Sequence, residues 1–238
     1  MIICYDKAVI NGGGSEALNS ERRYGMEQRT VKFYSKESNL LALHAIPGHF
    51  ATSNSHINFY IDVTGIRARI AEAEEAAKIL AHKFGHLSYV DTVVCMDGTE
   101  VIGAFLAKEF EKEHISSTNM HKTVYVISPE QSRDNQMIFR DNTKHMIAGK
   151  HIILLLATTT TGETIRRSLE GIQYYGGVME GIGSIFSTVK TVSNIRVQSL
   201  FGENDVIGYQ AFPKADCPFC KKGTKIEAVV NGFGYSKL

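Results

Sequence analysis

The sequence lacks a strong charge imbalance, a long apolar run and tryptophan. Its 26 Lys and Arg residues nearly cancel its 25 Asp and Glu residues, and the net charge of +1 indicates neither nucleic acid nor a membrane surface as a partner. The apolar runs fall far short of the roughly 20 residues that a membrane-spanning helix needs. The first residues show no basic segment followed by a long apolar one, so we expect no signal peptide. The absence of tryptophan excludes no class of protein.

Cysteine is also scarce, with four in 238 residues. Without a secretory signal, so few cysteines indicate a reducing compartment, and we expect a cytoplasmic protein. Two of them form a C-x-x-C motif, Cys217 and Cys220. One such motif with no second pair within about 20 residues is a weak zinc signal, and its place near the end of the chain is not that of a thioredoxin-like redox site. We therefore expect no zinc at Cys217 and Cys220 and no metal site built from protein side chains.

The remaining composition, 43% apolar and 21% charged, is that of an ordinary globular protein of one large domain, or one domain with a small appendage. Strands and helices alternate along the chain, which predicts an α/β fold with a mostly parallel sheet covered on both faces. Hydrophobic periodicity predicts helices at 38–50, 65–84, 101–110 and about 162–175, and strands at 56–63, 89–96, 123–128, 137–139, 152–156, 182–188 and 196–200.

The most informative segment is 151–168, HIILLLATTTTGETIRRS. An apolar run typical of a buried parallel strand leads into residues 158–162, four threonines and a glycine that we call the threonine loop. A helical pattern with Ile165 and Leu169 on one face begins at once. The first amides of such a helix have no partner within the helix and bind anions, and Gly162 allows close approach of the backbone. The alternative is a threonine-rich helix cap without a ligand.

The sequence Thr160-Thr161-Gly162-Glu163-Thr164 resembles the T-T-G-x-T end of the loop that binds phosphoribosyl pyrophosphate (PRPP) in type I phosphoribosyltransferases. The order of elements over about 38–222 resembles the orotate phosphoribosyltransferases in particular. The resemblance implies a mostly parallel central sheet flanked by helices, with a small N-terminal hood. It divides the chain into an N-terminal extension (1–37) and a phosphoribosyltransferase-like domain of hood (38–64), core (65–212) and C-terminal C-x-x-C tail (213–238).

The resemblance also implies roles for single residues. The five residues of the motif, Thr160, Thr161, Gly162, Glu163 and Thr164, are expected to bind the phosphate of PRPP. Further PRPP contacts are expected from backbone amides at Gly98 and Thr99 and from His56. A catalytic role is expected for Arg133, in the loop that meets the pyrophosphate. Asp97 stands where these enzymes often have a basic residue, and we expect this acid to have a catalytic role by contacting ribose hydroxyls or a metal ion.

Each of these roles has a structural alternative. Asp97 and Gly98 are also typical of a tight turn, with Glu100 at the start of the following helix. A single histidine such as His56 is more often structural, and Arg133 also fits a solvated polar loop.

The function implied is transfer of phosphoribosyl from PRPP to a pyrimidine or other nucleobase by an orotate phosphoribosyltransferase-like enzyme, with Mg²⁺ accompanying PRPP and a homodimer as the assembly. Two positions that are acidic in the family are Leu156 and Ala157 here. The alternative is therefore a catalytically impaired regulatory protein that binds PRPP or a nucleotide. A DNA-binding repressor is not indicated, because residues 1–37 contain neither a helix-turn-helix pattern nor a basic stripe.

Overall fold

The structure is a computed structural model that describes residues 25–112, 118, 123–132 and 136–238. The strands are β1 Val31–Tyr34, β2 Ala42–Ala51, β3 Ser55–Asp62, β4 Thr92–Cys95, β5 Tyr125–Ile127, β6 Glu130–Gln131, β7 Met137–Ile138, β8 His151–Thr159, β9 Val178–Ser187, β10 Thr191–Val192, β11 Ile195–Gly202, β12 Ala211–Pro213, β13 Ala228–Val230 and β14 Tyr235–Lys237. The α-helices are α1 Thr64–Ala68, α2 Ile70–Lys83, α3 Glu100–Lys112, α4 Asp141–Lys144, α5 Glu163–Tyr174 and α6 Pro218–Lys221.

The central sheet has the strand order β10-β11-β9-β8-β4-β5. All its neighbouring strands are parallel except β10, which pairs antiparallel with β11 at the edge. Because the carboxyl ends of parallel strands meet at one edge, the loops after β4 and β8 lie side by side. The predicted α/β fold with a mostly parallel sheet is confirmed.

The central strand β8 is buried on both faces. Residues 152–157 have no exposed surface, and alternate side chains belong to two different cores. Ile153 and Leu155 pack in the core that contains α2 and α3, whereas Ile152 and Leu154 pack in the core that contains α5. This two-sided burial explains the uninterrupted apolar run, since a strand covered by helices on both faces has no solvent-facing side.

A second sheet, which we call the hood sheet, covers one end of the central sheet. It has the order β12-β3-β2-β13-β14, and β1 also pairs with β2. The expected hood is therefore present. Its strands come from segments at 31–62, 211–213 and 228–237, so residues assigned to the extension, the core and the tail all take part. The C-terminal strand β13 runs parallel to β2, with Ala228 opposite Phe50.

The helix predicted at 38–50 is wrong, because the chain forms the strand β2 there. Leu41, Leu43 and Ala45 are fully buried, and the residues between them are half-buried. This period of two is that of a strand with one covered face, and burial against the helical core overrides the helix propensity of leucine and alanine.

The single helix predicted at 65–84 is also wrong, since it is divided into α1 and α2. Arg69 between them has an extended backbone, with ψ near 128°. Arg67 in the last turn of α1 is held by carbonyls of two other loops, described below.

In the part of the chain that the structure describes, no helix is long and apolar enough to cross a membrane.

Candidate functional site

A cleft of about 340 Å³ lies between the hood sheet and the carboxyl ends of β4 and β8. This volume is within the range of small-molecule sites. The threonine loop and Asp97 form its polar end. Apolar and aromatic side chains, most of them from the hood sheet, also line the cleft: Ile57, Tyr60, Ile61, Phe186, Tyr209 and Val230.

The threonine loop turns the chain from β8 into α5. Gly162 immediately precedes the helix and has φ of +73°, the left-handed region that only glycine adopts freely. A Cβ at this position would lie 3.0 Å from Val192 Cγ2. The Thr161 hydroxyl accepts a hydrogen bond from the Glu163 amide at 3.4 Å, and the Thr188 hydroxyl donates to the Thr160 carbonyl at 2.6 Å. The loop is therefore held from both sides.

The same loop presents unused donors to the cleft. Within the described residues, the amides of Thr160, Thr161, Gly162 and Thr164 have no hydrogen-bond acceptor. These residues line the cleft, and the N-terminus of the 12-residue helix α5 lies among them. Free amides at a helix N-terminus attract anions through hydrogen bonds and the helix dipole. The polar end of the cleft is thus suited to a phosphate group.

Asp97 lines the cleft beside the threonine loop. It follows β4 with φ of +56° and lies close to the backbone amide of Ala157 in β8. Burial raises the pKa of this carboxyl, an effect that the nearby Arg67 charge and the Ala157 amide partly oppose. Gly232 approaches so closely that a Cβ there would lie 2.6 Å from Asp97 Cγ.

Arg67 joins three segments around Asp97. Its guanidinium donates to the carbonyls of Asp97, Gly232 and Phe233, the last two at 2.9 and 2.8 Å. It also lies 5.8 Å from the centre of the Phe233 ring. Since residues 231–233 line the cleft, Arg67 fixes the C-terminal segment against the loop after β4.

Tyr209 in the cleft lining carries a polar atom without a partner among the described residues. The residue is only 9% exposed, and its hydroxyl makes no hydrogen bond within the described residues. Its ring packs edge-on against Phe186 at 5.2 Å. Burial of a hydroxyl without a hydrogen bond costs free energy, so this group is suited to a ligand that supplies the missing partner.

The structure brings together most of the residues predicted for phosphate. Thr160, Thr161, Gly162, Glu163 and Thr164 all line the cleft, and so does Asp97, which is predicted to be catalytic. Glu163 also pairs with Arg166 and Arg167 on the surface of α5, at 3.2 and 3.1 Å.

Gly98 and Thr99 lie behind Asp97 and not on the cleft surface. Thr99 is fully buried, and its hydroxyl donates to the carbonyls of Met96 at 2.9 Å and Leu155 at 3.3 Å. Its amide also bonds Met96, so it has no donor left for a phosphate. Gly98 has φ of +75° and lies against Arg67. The tight-turn alternative therefore describes this segment better.

His56 does not reach the cleft, because its side chain points to the opposite side of β3 from Ile57. His56 Nδ1 lies 3.1 Å from His49 Nε2 and 3.3 Å from Cys220 Sγ. Burial lowers the pKa of His56, with smaller contributions from His49 and Lys214. The expected PRPP role of His56 thus has no geometric support. Arg133, the other predicted catalytic residue, lies outside the described residues.

Several cleft residues were missed in the sequence. Tyr209 and residues 231–233 carry no local motif, and only the tertiary structure brings them to the cleft. Arg167 also lines the cleft, one turn into α5. Its spacing of three residues from Thr164 was the one available signal, since residues three apart share a helix face.

No family model matches this chain, and no curated protein matches it. Among solved structures, it is similar to an orotate phosphoribosyltransferase of Mycobacterium tuberculosis, with 12% identity, 68% of this chain and 90% of that chain covered, and a TM-score of 0.48. It is also similar to an orotate phosphoribosyltransferase of Aeropyrum pernix, with 14% identity, 67% of this chain and 88% of that chain covered, and a TM-score of 0.46. A third similar structure is an adenine phosphoribosyltransferase of Thermoanaerobacter pseudethanolicus, with 12% identity, 74% of this chain and 97% of that chain covered, and a TM-score of 0.46.

Proposed function

We propose that this protein is a phosphoribosyltransferase of the orotate type, which transfers phosphoribosyl from PRPP to a pyrimidine or another nucleobase. In this reaction a ring nitrogen of the base forms a bond to the anomeric carbon, and the bond from that carbon to pyrophosphate breaks. The observation that carries the proposal is the threonine loop, whose free amides face a cleft of suitable size at the N-terminus of α5. The resemblance of the loop to the T-T-G-x-T motif supports PRPP as the anion that binds there.

The 5′-phosphate of PRPP is assigned to the threonine loop. Its amides and hydroxyls supply several hydrogen bonds to one anion, and bonds to a charged group are stronger than those between neutral groups. The helix dipole of α5 adds to the attraction.

Asp97 is assigned to the ribose hydroxyls or to a metal ion held by the pyrophosphate. Its carboxylate lies near the Ala157 amide and Asp97 lines the cleft, which supports this assignment at a site where Leu156 and Ala157 replace the acidic pair. The donor set here also fits Mg²⁺, which prefers carboxylate, hydroxyl and phosphate oxygens and keeps several waters. When bound, the ion neutralises charge on the departing pyrophosphate.

The base is assigned to the aromatic side chains that line the cleft. Tyr60, Phe186 and Tyr209 present aromatic surface there, and the unpartnered Tyr209 hydroxyl offers one hydrogen bond to a ring substituent. An apolar site with one polar group is typical of small-molecule recognition. The homodimer stays a prediction, to be measured in solution.

The test is an assay of pyrophosphate release from PRPP with a panel of bases, run beside calorimetric titration of PRPP. Base-dependent pyrophosphate release together with PRPP binding is the expected result. Binding of PRPP without release for any base would favour the regulatory alternative, in agreement with the apolar Leu156 and Ala157. Absence of PRPP binding would overturn both.

A further inference from the structure

Four potential metal ligands meet behind the hood sheet, away from the cleft. They are His49 of β2, His56 of β3, Cys217 directly before α6 and Cys220 within α6. Their ligand atoms all lie within 4.8 Å of one another. Residues 49 and 56 are on neighbouring strands, and the cysteines are more than 160 positions further along the chain. We call these four residues the Cys/His cluster.

The distances in the cluster match a tetrahedral site. The Nε2 atom of His49 lies 3.1 Å from Nδ1 of His56, 3.4 Å from Sγ of Cys217 and 3.7 Å from Sγ of Cys220. Cys220 Sγ lies 3.3 Å from His56 Nδ1. Zn²⁺ bonds of about 2.0–2.1 Å to nitrogen and 2.3 Å to sulfur place tetrahedral ligand atoms about 3.3–3.8 Å apart. One ion therefore fits among the four atoms with little movement.

We propose that the Cys/His cluster binds one structural Zn²⁺ through His49 Nε2, His56 Nδ1 and the sulfur atoms of Cys217 and Cys220. Two thiolates and two imidazoles in tetrahedral array are a preferred Zn²⁺ ligand set. The two-residue spacing of the cysteines is also that of structural zinc sites, and Pro218 begins the short helix that holds both.

The surroundings of the cluster support metal binding. His49 Nδ1 lies 2.9 Å from the Thr224 carbonyl, so it carries the proton and leaves Nε2 free to bind an ion. Phe219 stacks on the His49 ring at 5.2 Å and Phe212 packs on Phe219 at 6.0 Å, which excludes water from one side. His49 and Cys217 are fully buried, whereas Cys220 is exposed and provides an entry path.

A zinc ion here ties the C-terminal segment to the hood sheet. The turn between His49 and His56 includes Thr52 and Asn54, which line the cleft, and Lys214 donates to the Ser53 carbonyl at 2.7 Å. The chain continues from the cluster into β13 and the cleft residues 231–233. The ion thus stabilises two walls of the cleft without touching a ligand in it.

The first test measures metal in the full-length protein purified under reducing conditions. Elemental analysis is expected to find about one zinc per chain. Replacement by Co²⁺ is expected to give the visible bands of tetrahedral cobalt and a thiolate-to-cobalt charge-transfer band. Both readouts are independent of PRPP, so they stand apart from the proposed transferase activity. Protein with reduced thiols that holds no zinc and gives no such bands would overturn the proposal, as would an iron cluster in its place.

The second test uses variants and a matched control. Cys217→Ser and Cys220→Ser are expected to lose most of the zinc and to lower the thermal midpoint, whereas Cys95→Ala in the central sheet keeps the metal. His56→Cys retains four ligands and is expected to bind zinc, which separates ligand loss from misfolding. Undiminished zinc in both serine variants, or a disulfide between Cys217 and Cys220 that persists in the presence of reductant and added zinc, would contradict the site.

Discussion

Gly162 is the residue on which the geometry of the threonine loop depends most. Its φ of +73° costs a residue with a side chain about 1–2 kcal/mol, and a Cβ would press on Val192 at 3.0 Å. We expect Gly162→Ala to shift the loop and weaken PRPP binding by roughly tenfold or more. Calorimetric titration of PRPP measures the effect.

Gly149 provides the matched control for that change. Its φ is +68° and a Cβ there meets nothing within 4 Å. It lies just before β8, at the end of the strand away from the cleft. Gly149→Ala is therefore expected to lower stability by a similar strain while leaving PRPP affinity unchanged. Equal loss of affinity in both variants would show that the loop has no specific role.

Asp97 is expected to oppose stability while serving function. Since burial raises its folded-state pKa, the charged carboxylate destabilises the fold at neutral pH. This effect fades as the pH falls through the raised folded-state pKa, and it is gone below the usual aspartate value of about 4. We expect Asp97→Asn to raise the thermal midpoint at pH 7 and to lose that advantage at low pH. Asparagine also tolerates the left-handed backbone at this position.

The same substitution tests the role of Asp97 in turnover. Loss of one charge-assisted contact of about 1.5–3 kcal/mol corresponds to roughly tenfold to a hundredfold slower phosphoribosyl transfer. Asp141→Asn, on an exposed side chain, is the control and is expected to leave the rate unchanged. A stabilised Asp97→Asn variant with the rate of the unchanged protein would exclude Asp97 from catalysis.

The buried hydroxyl of Tyr209 is also expected to lower stability while contributing to binding. Tyr209→Phe removes the buried hydroxyl that has no partner in the described structure, so the free protein is expected to become no less stable. If the hydroxyl bonds the base, the KM for the base rises up to about tenfold, from a net bond of about 0.5–1.5 kcal/mol, while PRPP affinity is unchanged. An unchanged KM for every base would remove Tyr209 from recognition.

The two-sided burial of β8 explains why positions 156 and 157 carry apolar residues. Leu156 and Ala157 are fully buried, Leu156 in the core that contains α5 and Ala157 in the core of α2 and α3. A carboxylate at either position would be removed from water. Asp97, shortly after the neighbouring strand β4, lines the cleft.

We therefore expect the double substitution Leu156→Glu with Ala157→Asp to unfold the protein or lower its stability by several kcal/mol, without restoring a family-like site. Chemical denaturation measures the loss. Gln173→Glu, exposed on α5, is the control and is expected to change stability by less than about 0.5 kcal/mol. A folded double variant with faster pyrophosphate release would show that these positions can contact the ribose.

The cleft as a whole depends on the closure of the hood sheet by the C-terminal strands. Ala228 and Val230 of β13 are buried against the hood core, and Glu227 pairs with Arg29 at 2.5 Å. The residues after β13 supply the carbonyls that hold Arg67 and the Gly232 backbone beside Asp97. The end of the chain is thus part of both the stability and the binding site.

We expect removal of residues 226–238 to abolish PRPP binding and to lower the thermal midpoint. Losing the burial of Ala228 and Val230 and uncovering the residues they pack on costs about 3 kcal/mol, or roughly 6–12 °C for a protein of this size. Differential scanning calorimetry measures the shift. Removal of Leu238 alone, which is 78% exposed, is the control and is expected to have little effect. Full PRPP affinity in the shorter chain would show that the C-terminal segment is dispensable.

The anion-binding end of the cleft was predictable because it is built from neighbours in the sequence. The apolar run of β8, the threonine loop and the amphipathic α5 form one continuous unit, whose geometry follows from local rules of strands, glycine and helix termini. The parallel sheet followed in the same way, from the alternation of strands and helices. The helix predicted at 38–50 failed because the period of burial in β2 is set by what packs on it.

The rest of the site arises from contacts between distant segments, which no local pattern encodes. His49 meets Cys217 across 168 positions because α6 packs against β2 and β3, and Asp97 meets Gly232 because β13 adds to the hood sheet beside β2. Strand order and register decide these meetings, and both depend on the packing of the whole chain. The C-x-x-C motif therefore gave a weak metal signal alone, and only the fold supplied the two histidines that complete its tetrahedron.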